Sequence, residues 1–235
     1  MRYYTDWDCR LLPMMGDLIA NPEDSVRSLL LLQEKFGLSH FCMMPVFDCD
    51  QDSVSAFLAR REKSFAEISD RIPTNIHITL GSTVLVRKGL STEMGLKKLL
   101  LPHSKFLPIR LPLDLQSNDT SVELNRLFYH LPYSLLFLCT DSYLDFYSIE
   151  DIERWMNLPN TAFQFRFSAL ENPNAIRLLK LLLAKNKPVF FGTAINSYGK
   201  ACYYEFDHYV GLAKKYFNDY ERDLLFFPKK QSYFT

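Results

Sequence analysis

The chain has 235 residues, 48% hydrophobic and 23% charged, enough apolar material for a sizeable buried core. Basic and acidic side chains balance at 27 each, so no charge excess points to nucleic acid or an anionic membrane surface. The longest apolar runs are too short to span a bilayer. The opening MRYYTDWDCR lacks the apolar segment of a secretory signal, and five scattered cysteines without a CxxC predict reduced thiols in a cytoplasmic protein.

The elements alternate. A first strand is predicted over 3–8. Asn21-Pro22-Glu23-Asp24 then opens a helix with a capping side chain, a proline in the first turn and acids at the positive end of the dipole; Gly37 ends it. A buried strand, SHFCMMPV (39–46), stops at Pro45. The cycle repeats as helix 53–70, strand 77–86, a short helix and loop, and strand 106–111. Helix 120–130 leads to strand 134–139, helix 149–156 to strand 162–167, and helix 173–185 to strand 188–192. One long aromatic helix is predicted at about 201–219. Seven strands separated by crossovers imply a parallel α/β fold. An open doubly wound sheet would fit the alternation. Short strands that are apolar on both faces, with no Gly-rich turn after the first, favour a closed barrel read as one domain over 1–235. The eight glycines form neither GxGxxG nor a phosphate-binding loop, which counts against a nucleotide site.

In such a barrel, chemistry gathers at the C-terminal ends of the strands. Those ends carry Asp6, Asp8 and Arg10; Pro45, Val46 and Asp48; Thr83; Arg110; Thr140 and Asp141; Arg166 and Ser168; Thr193, Ile195 and Asn196. The histidines fall elsewhere: His40 and His77 open strands, His103 is in a loop, and His130 and His208 are helical. There is no GxSxG, no HExxH and no cysteine-phosphatase loop. Cys42 and Cys139 lie inside apolar strands and read as inert core residues.

The order of short motifs resembles the PHP-type metallo-phosphoesterases, specifically the bacterial capsule-biosynthesis protein-tyrosine phosphatases of the CpsB/YwqE type. The family's opening D-x-H-x-H-x-L-P is similar to Asp6-Trp7-Asp8-Cys9-Arg10-Leu11-Leu12-Pro13. Its E-S-L, G-I-T-H and T-P-H segments resemble Asp24-Ser25-Val26, Gly37-Leu38-Ser39-His40 and Met44-Pro45-Val46. Leu80-Gly81-Ser82-Thr83 resembles P-G-x-E, and Cys139-Thr140-Asp141-Ser142 resembles A-H-P-E. Gln164 to Leu170 resembles Q-I-N-x-x-S-L, and Gly192 to Asn196 resembles the closing S-D-A-H-N. The resemblance implies a distorted (β/α)7 TIM-like barrel and a hydrolase using manganese, iron or zinc.

The departures fall on the ligands. The family's metal-binding positions correspond to Asp8, Arg10, Val46, Thr83, Thr140, Thr193 and Ile195, and only Asp8 is a good donor. Arg10 would repel a divalent ion by ~8 kcal/mol at ~4 Å and an effective dielectric of ~20. The reading is therefore a phosphatase-like protein without catalytic residues, metal or other cofactor, serving by binding. Arg10, Arg110 and Arg166 could converge on a phosphate or carboxylate; each could equally be a structural ion pair, Arg10 with Asp8 or Asp141. The resemblance implies partners in capsule or exopolysaccharide assembly: a phosphorylated protein or kinase tail, or an active paralogue. Two alternatives stand beside it. One is a phosphoesterase built on Asp6, Asp8, Asp48 and Asp141. The other is a scaffold acting through the aromatic C-terminal stretch, whose plainer reading is a helix packed on the barrel with Leu224–Phe227 closing an end.

Overall fold

The computed structural model describes residues 4–15, 21–113 and 118–226. The strands are β1 (Tyr4–Cys9), β2 (Leu38–Met43), β3 (Val46–Phe47), β4 (His77–Leu80), β5 (Thr83–Leu85), β6 (Phe106–Arg110), β7 (Ser134–Phe137), β8 (Thr161–Arg166) and β9 (Val189–Gly192). The helices are α1 (Pro22–Phe36), α2 (Val54–Ala66), α3 (Asn118–His130), α4 (Ile149–Asn157), α5 (Pro173–Ala184), α6 (Tyr198–Cys202), α7 (Phe206–Tyr216) and α8 (Asp219–Phe226). None of the described helices is long and apolar enough to cross a membrane.

All ladders are parallel. They run β1-β2-β4 and β3-β5-β6-β7-β8-β9. Two expected strands are each broken: 39–46 becomes β2 and β3, and 77–86 becomes β4 and β5. The breaks are in step, and backbone bonds carry the ladder across them, from Gly81 N–H to Met43 C=O at 2.9 Å and from Thr83 N–H to Pro45 C=O at 2.8 Å. Pro45 supplies no donor. Opposite it, the buried Arg61 guanidinium donates to the Gly81 carbonyl at 2.9 Å and to Ser82 Oγ at 3.0 Å. The last gap closes where Ala194 N–H bonds Asp8 C=O (2.7 Å) and Arg10 N–H bonds Ile195 C=O (2.9 Å). Nine strands thus form seven staves of a distorted parallel barrel, as the alternation predicts.

The apolar residues divide into two clusters, as expected for strands buried on both faces. Trp7, Cys42, Met44, Phe106, Leu136, Leu138, Ala162 and Phe190 fill the barrel interior. Phe41, Met43, Phe47, Phe137, Phe163, Phe165 and Phe191 belong to the larger cluster between strands and helices. Burying each such side chain contributes ~1.5–3 kcal/mol.

Helix ends follow local chemistry. Asn21 accepts from Glu23 N–H at 2.9 Å to start α1, and Gly37, at φ 66°, returns its N–H to Gln33 C=O to end it. The single helix expected at 201–219 is three helices. Asn218 and Glu221 exchange side-chain-to-backbone bonds of 2.9 Å each way, a capping box that starts α8. The aromatics of this region mostly pack inward. Phe206 meets Tyr4 and Phe167 at 5.0 Å, and Leu225 and Phe226 are buried. Tyr203 and Tyr220 stay exposed, and Phe227 lies outside the described residues.

Candidate functional site

β1 brings two carboxylates to the C-terminal end of the barrel. Between Asp6 and Cys9 it carries one residue more than β2, a bulge that re-aims the side chains there. Asp6 is fully buried and accepts from the Thr193 hydroxyl (2.5 Å), the Thr193 N–H (2.9 Å) and the Asp8 N–H (3.1 Å). Burial outweighs these donors and, with the Asp8 charge adding to it, pushes the Asp6 carboxyl up to about 7.

Asp8 is also fully buried, and Arg10 grips it with both arms: Nε donates to Oδ1 at 3.2 Å and Nη2 to Oδ2 at 3.0 Å. Cys139 completes a triangle, its thiol donating to Asp8 Oδ2 at 3.3 Å and accepting from Arg10 Nη2 at 3.2 Å. The expectation of an inert apolar Cys139 is corrected here: the residue is buried, but as a polar partner. It holds a left-handed backbone at φ 52° just past β7, with its N–H donating to Gln164 Oε1 at 2.7 Å. Burial and the Asp8 charge push its thiol up to about 12, so it stays protonated.

Two neighbours seal this side. Gly192 packs so closely that a Cβ there would lie 2.5 Å from the Asp8 backbone nitrogen and 2.8 Å from Gln164 Nε2. Asp141 takes the Arg166 N–H at 3.0 Å and Arg166 Nε at 2.7 Å; burial raises its pKa against the Arg166 charge.

The positions that would hold metal in the resembled family are therefore committed elsewhere. Asp8 is engaged by Arg10. The hydroxyls of Thr83 and Thr140 donate to the carbonyls of Met44 and Phe137, both at 3.1 Å, and that of Thr193 donates to Asp6. Val46 and Ile195 offer no donor atom. This set does not fit a transition-metal ion, which needs several imidazole, carboxylate or thiolate ligands facing one point. The four carboxylates considered for a novel enzyme do not converge either. Among the described residues, only Asp48, Cys49 and Asp50 bring three His/Cys/Asp/Glu ligand atoms within 4.8 Å of one another, on consecutive partly exposed loop residues. The histidines stay away: His40 and His77 pair across β2 and β4 with rings 4.6 Å apart.

The opposite side of the barrel end is open. A pocket of about 590 Å³ lies over β3, β5 and β6, walled by Leu12, Pro45, Val46, Leu85, Leu111 and Leu113, with Met14 and Met15 from the segment after β1. Four guanidiniums line it: Arg10, Arg60, Arg87 and Arg110. The expected three-arginine convergence reduces to Arg10 and Arg110, since Arg166 is turned to Asp141 and does not line the pocket. Arg60 and Arg87 escaped the sequence reading. Arg87 was within reach of it, because Thr83, Leu85 and Arg87 follow the two-residue period of a strand; Arg60, on the outer face of α2, gives no such signal.

No family model matches the chain, and no curated protein matches it. Among solved structures, a chain from the crystal structures of YwqE from Bacillus subtilis and CpsB from Streptococcus pneumoniae, metal-dependent tyrosine phosphatases, matches with a TM-score of 0.70 at 17% identity, covering 94% of this chain and 90% of that one. With its barrel so matched along nearly the whole length of both chains, this protein has the fold of the metal-dependent tyrosine phosphatases.

Proposed function

We propose that this is a catalytically degenerate, phosphatase-like protein that binds an anionic group instead of hydrolysing a phosphoester. The observation that carries the reading is the two-armed bond between Arg10 and the buried Asp8, with Cys139 as third member. A cation built into the protein neutralises the one strong ligand left among the family's metal positions. Without a metal there is no activated water, and the protonated Cys139 thiol offers no substitute nucleophile. The pocket of arginines beside it supports a binding role, with a phosphoryl or carboxylate group as the anion. The partner on this reading is a protein in capsule or exopolysaccharide assembly, either a kinase tail or an active paralogue with the same fold.

The test is a turnover assay on a tyrosine-phosphorylated peptide with added manganese. The expected result is no phosphate release above buffer. Release that disappears in Asp8→Ala would establish an active hydrolase and end this reading.

A further inference from the structure

The pocket's charge is smaller than its arginines suggest. Arg10 is bonded to Asp8 at 3.0 Å, Arg60 to Asp52 at 2.5 Å, and Arg87 lies 3.8 Å from Asp48. Arg110 is the exception: among the described residues no carboxylate lies within ion-pair distance of it. Four guanidiniums, three of them answered, leave the wall with one positive charge to offer among the described residues.

Arg110 is also held in place. It ends β6, and its carbonyl accepts from Val86 N–H at 2.9 Å. The next residue, Leu111, donates its N–H to the Tyr143 hydroxyl at 3.0 Å, and the Tyr147 hydroxyl donates to the Pro112 carbonyl at 2.5 Å. Tyr143 is fully buried, so the backbone that presents Arg110 is fixed before any ligand arrives. Besides its charged groups and Gln51, the pocket offers apolar wall from Leu12, Val46, Leu85, Leu111 and Leu113.

We propose that this pocket takes a carboxylate carried on an apolar body, anchored by Arg110. The inference rests on the non-hydrolytic reading above and narrows its anion. A planar guanidinium and a planar carboxylate match through two parallel hydrogen bonds, and their unit charges cancel. A phosphate monoester carries nearly two charges at neutral pH and would ask the wall for a second cation that its own aspartates already hold. The volume suits one side chain or small acid, within the range of ordinary ligand pockets. On this assignment the ligand, a peptide C-terminus or a free acid, docks through its carboxylate, and phosphorylation is not what the pocket reads.

The experiment is calorimetric titration of the full chain with phenylacetate, N-acetylphenylalanine and phenyl phosphate, repeated on Arg110→Met and Arg110→Lys. At least one carboxylate is expected to bind about tenfold more tightly than phenyl phosphate, and to lose about tenfold or more in Arg110→Met. Arg110→Lys keeps the charge without the fork and is expected to fall between. Preference for N-acetylphenylalanine would identify a peptide C-terminus as the source of the carboxylate, and preference for phenylacetate a free acid. Tighter binding of intact phenyl phosphate, equal binding in Arg110→Met, or no heat from either carboxylate overturns the assignment. If Arg110→Met does not fold, the wild-type ranking and Arg110→Lys decide. Hydrolysis of phenyl phosphate would overturn the non-hydrolytic reading itself, a separate outcome.

Discussion

The two halves of the barrel end have had opposite fates on one scaffold. Where β7, β8 and β9 meet β1, every polar group discussed is answered from within the protein: Asp6 by Thr193, Asp8 by Arg10 and Cys139, Asp141 by Arg166. Over β3, β5 and β6 the same end stays open and keeps a guanidinium unanswered among the described residues. The difference shows how one barrel end can hold a sealed ion-pair network and an open pocket side by side. Buried charges must be neutralised by something; a guanidinium from the neighbouring turn serves a buried carboxylate as a metal ion would. The sealed half then contributes rigidity, and the open half is the one the proposed binding role uses.

The sharpest way to break this contrast is steric. Gly192→Ala drives a methyl against the Asp8 backbone and Gln164, and should cost about 3 kcal/mol in urea unfolding. Gly81→Ala is the control on the open side. Its nearest neighbour is the Met44 sulfur at 2.3 Å, on a flexible side chain that can move, and the expected cost is about 1 kcal/mol. Equal losses would mean that the two halves are equally rigid.

Next comes the ion pair. Asp8→Ala strands Arg10, which retains some exposure toward the pocket, and should cost about 2 kcal/mol. Adding Arg10→Met should recover part of that loss, because the unpaired charge is gone. A double variant as unstable as the sum of the two singles would mean that the pair contributes nothing as a pair.

A third effect separates the halves by pH. Asp6 goes from 3.8 to about 7 on burial. The folded state therefore holds a proton that the unfolded state has released. This contribution is complete below the lower value and is lost as pH rises through about 7. Denaturation midpoints should fall across that window, and Asp6→Asn should flatten the fall. A profile unchanged in Asp6→Asn would place the titrating group elsewhere.

The smallest expected effect lies on the open side. Arg110→Met removes no ion pair among the described residues and should shift stability by less than about 0.5 kcal/mol. A larger loss would make Arg110 structural.

Much of the fold was legible, because its signals are local. Asn21-Pro22 and Gly37 bracket α1 by cap chemistry alone, and the short doubly apolar strands announce a barrel buried on both faces. The two stave breaks were not legible as breaks: Pro45 marks one, but the other depends on Arg61 reaching back from α2 to Gly81. The C-terminal helix was misjudged although Asn218 and Glu221 spell out a start signal. At the site, the Asp8–Arg10 pair followed from spacing, two residues apart on one side of a strand. The displacement of the open pocket to one side did not. It depends on which arginines find carboxylates across the chain, as Arg166 finds Asp141, and on the placement of Arg60 from a helix.

On the proposed reading, Arg10 stands at Asp8 where the resembled family would hold a metal. The most direct test of that reading is the metal content of the purified protein after dialysis against manganese, iron and zinc in turn, read by mass spectrometry. The expected content is far less than one ion per chain with each metal, in wild type and in Asp8→Ala alike. A stoichiometric ion in the wild type that is lost in Asp8→Ala would contradict it.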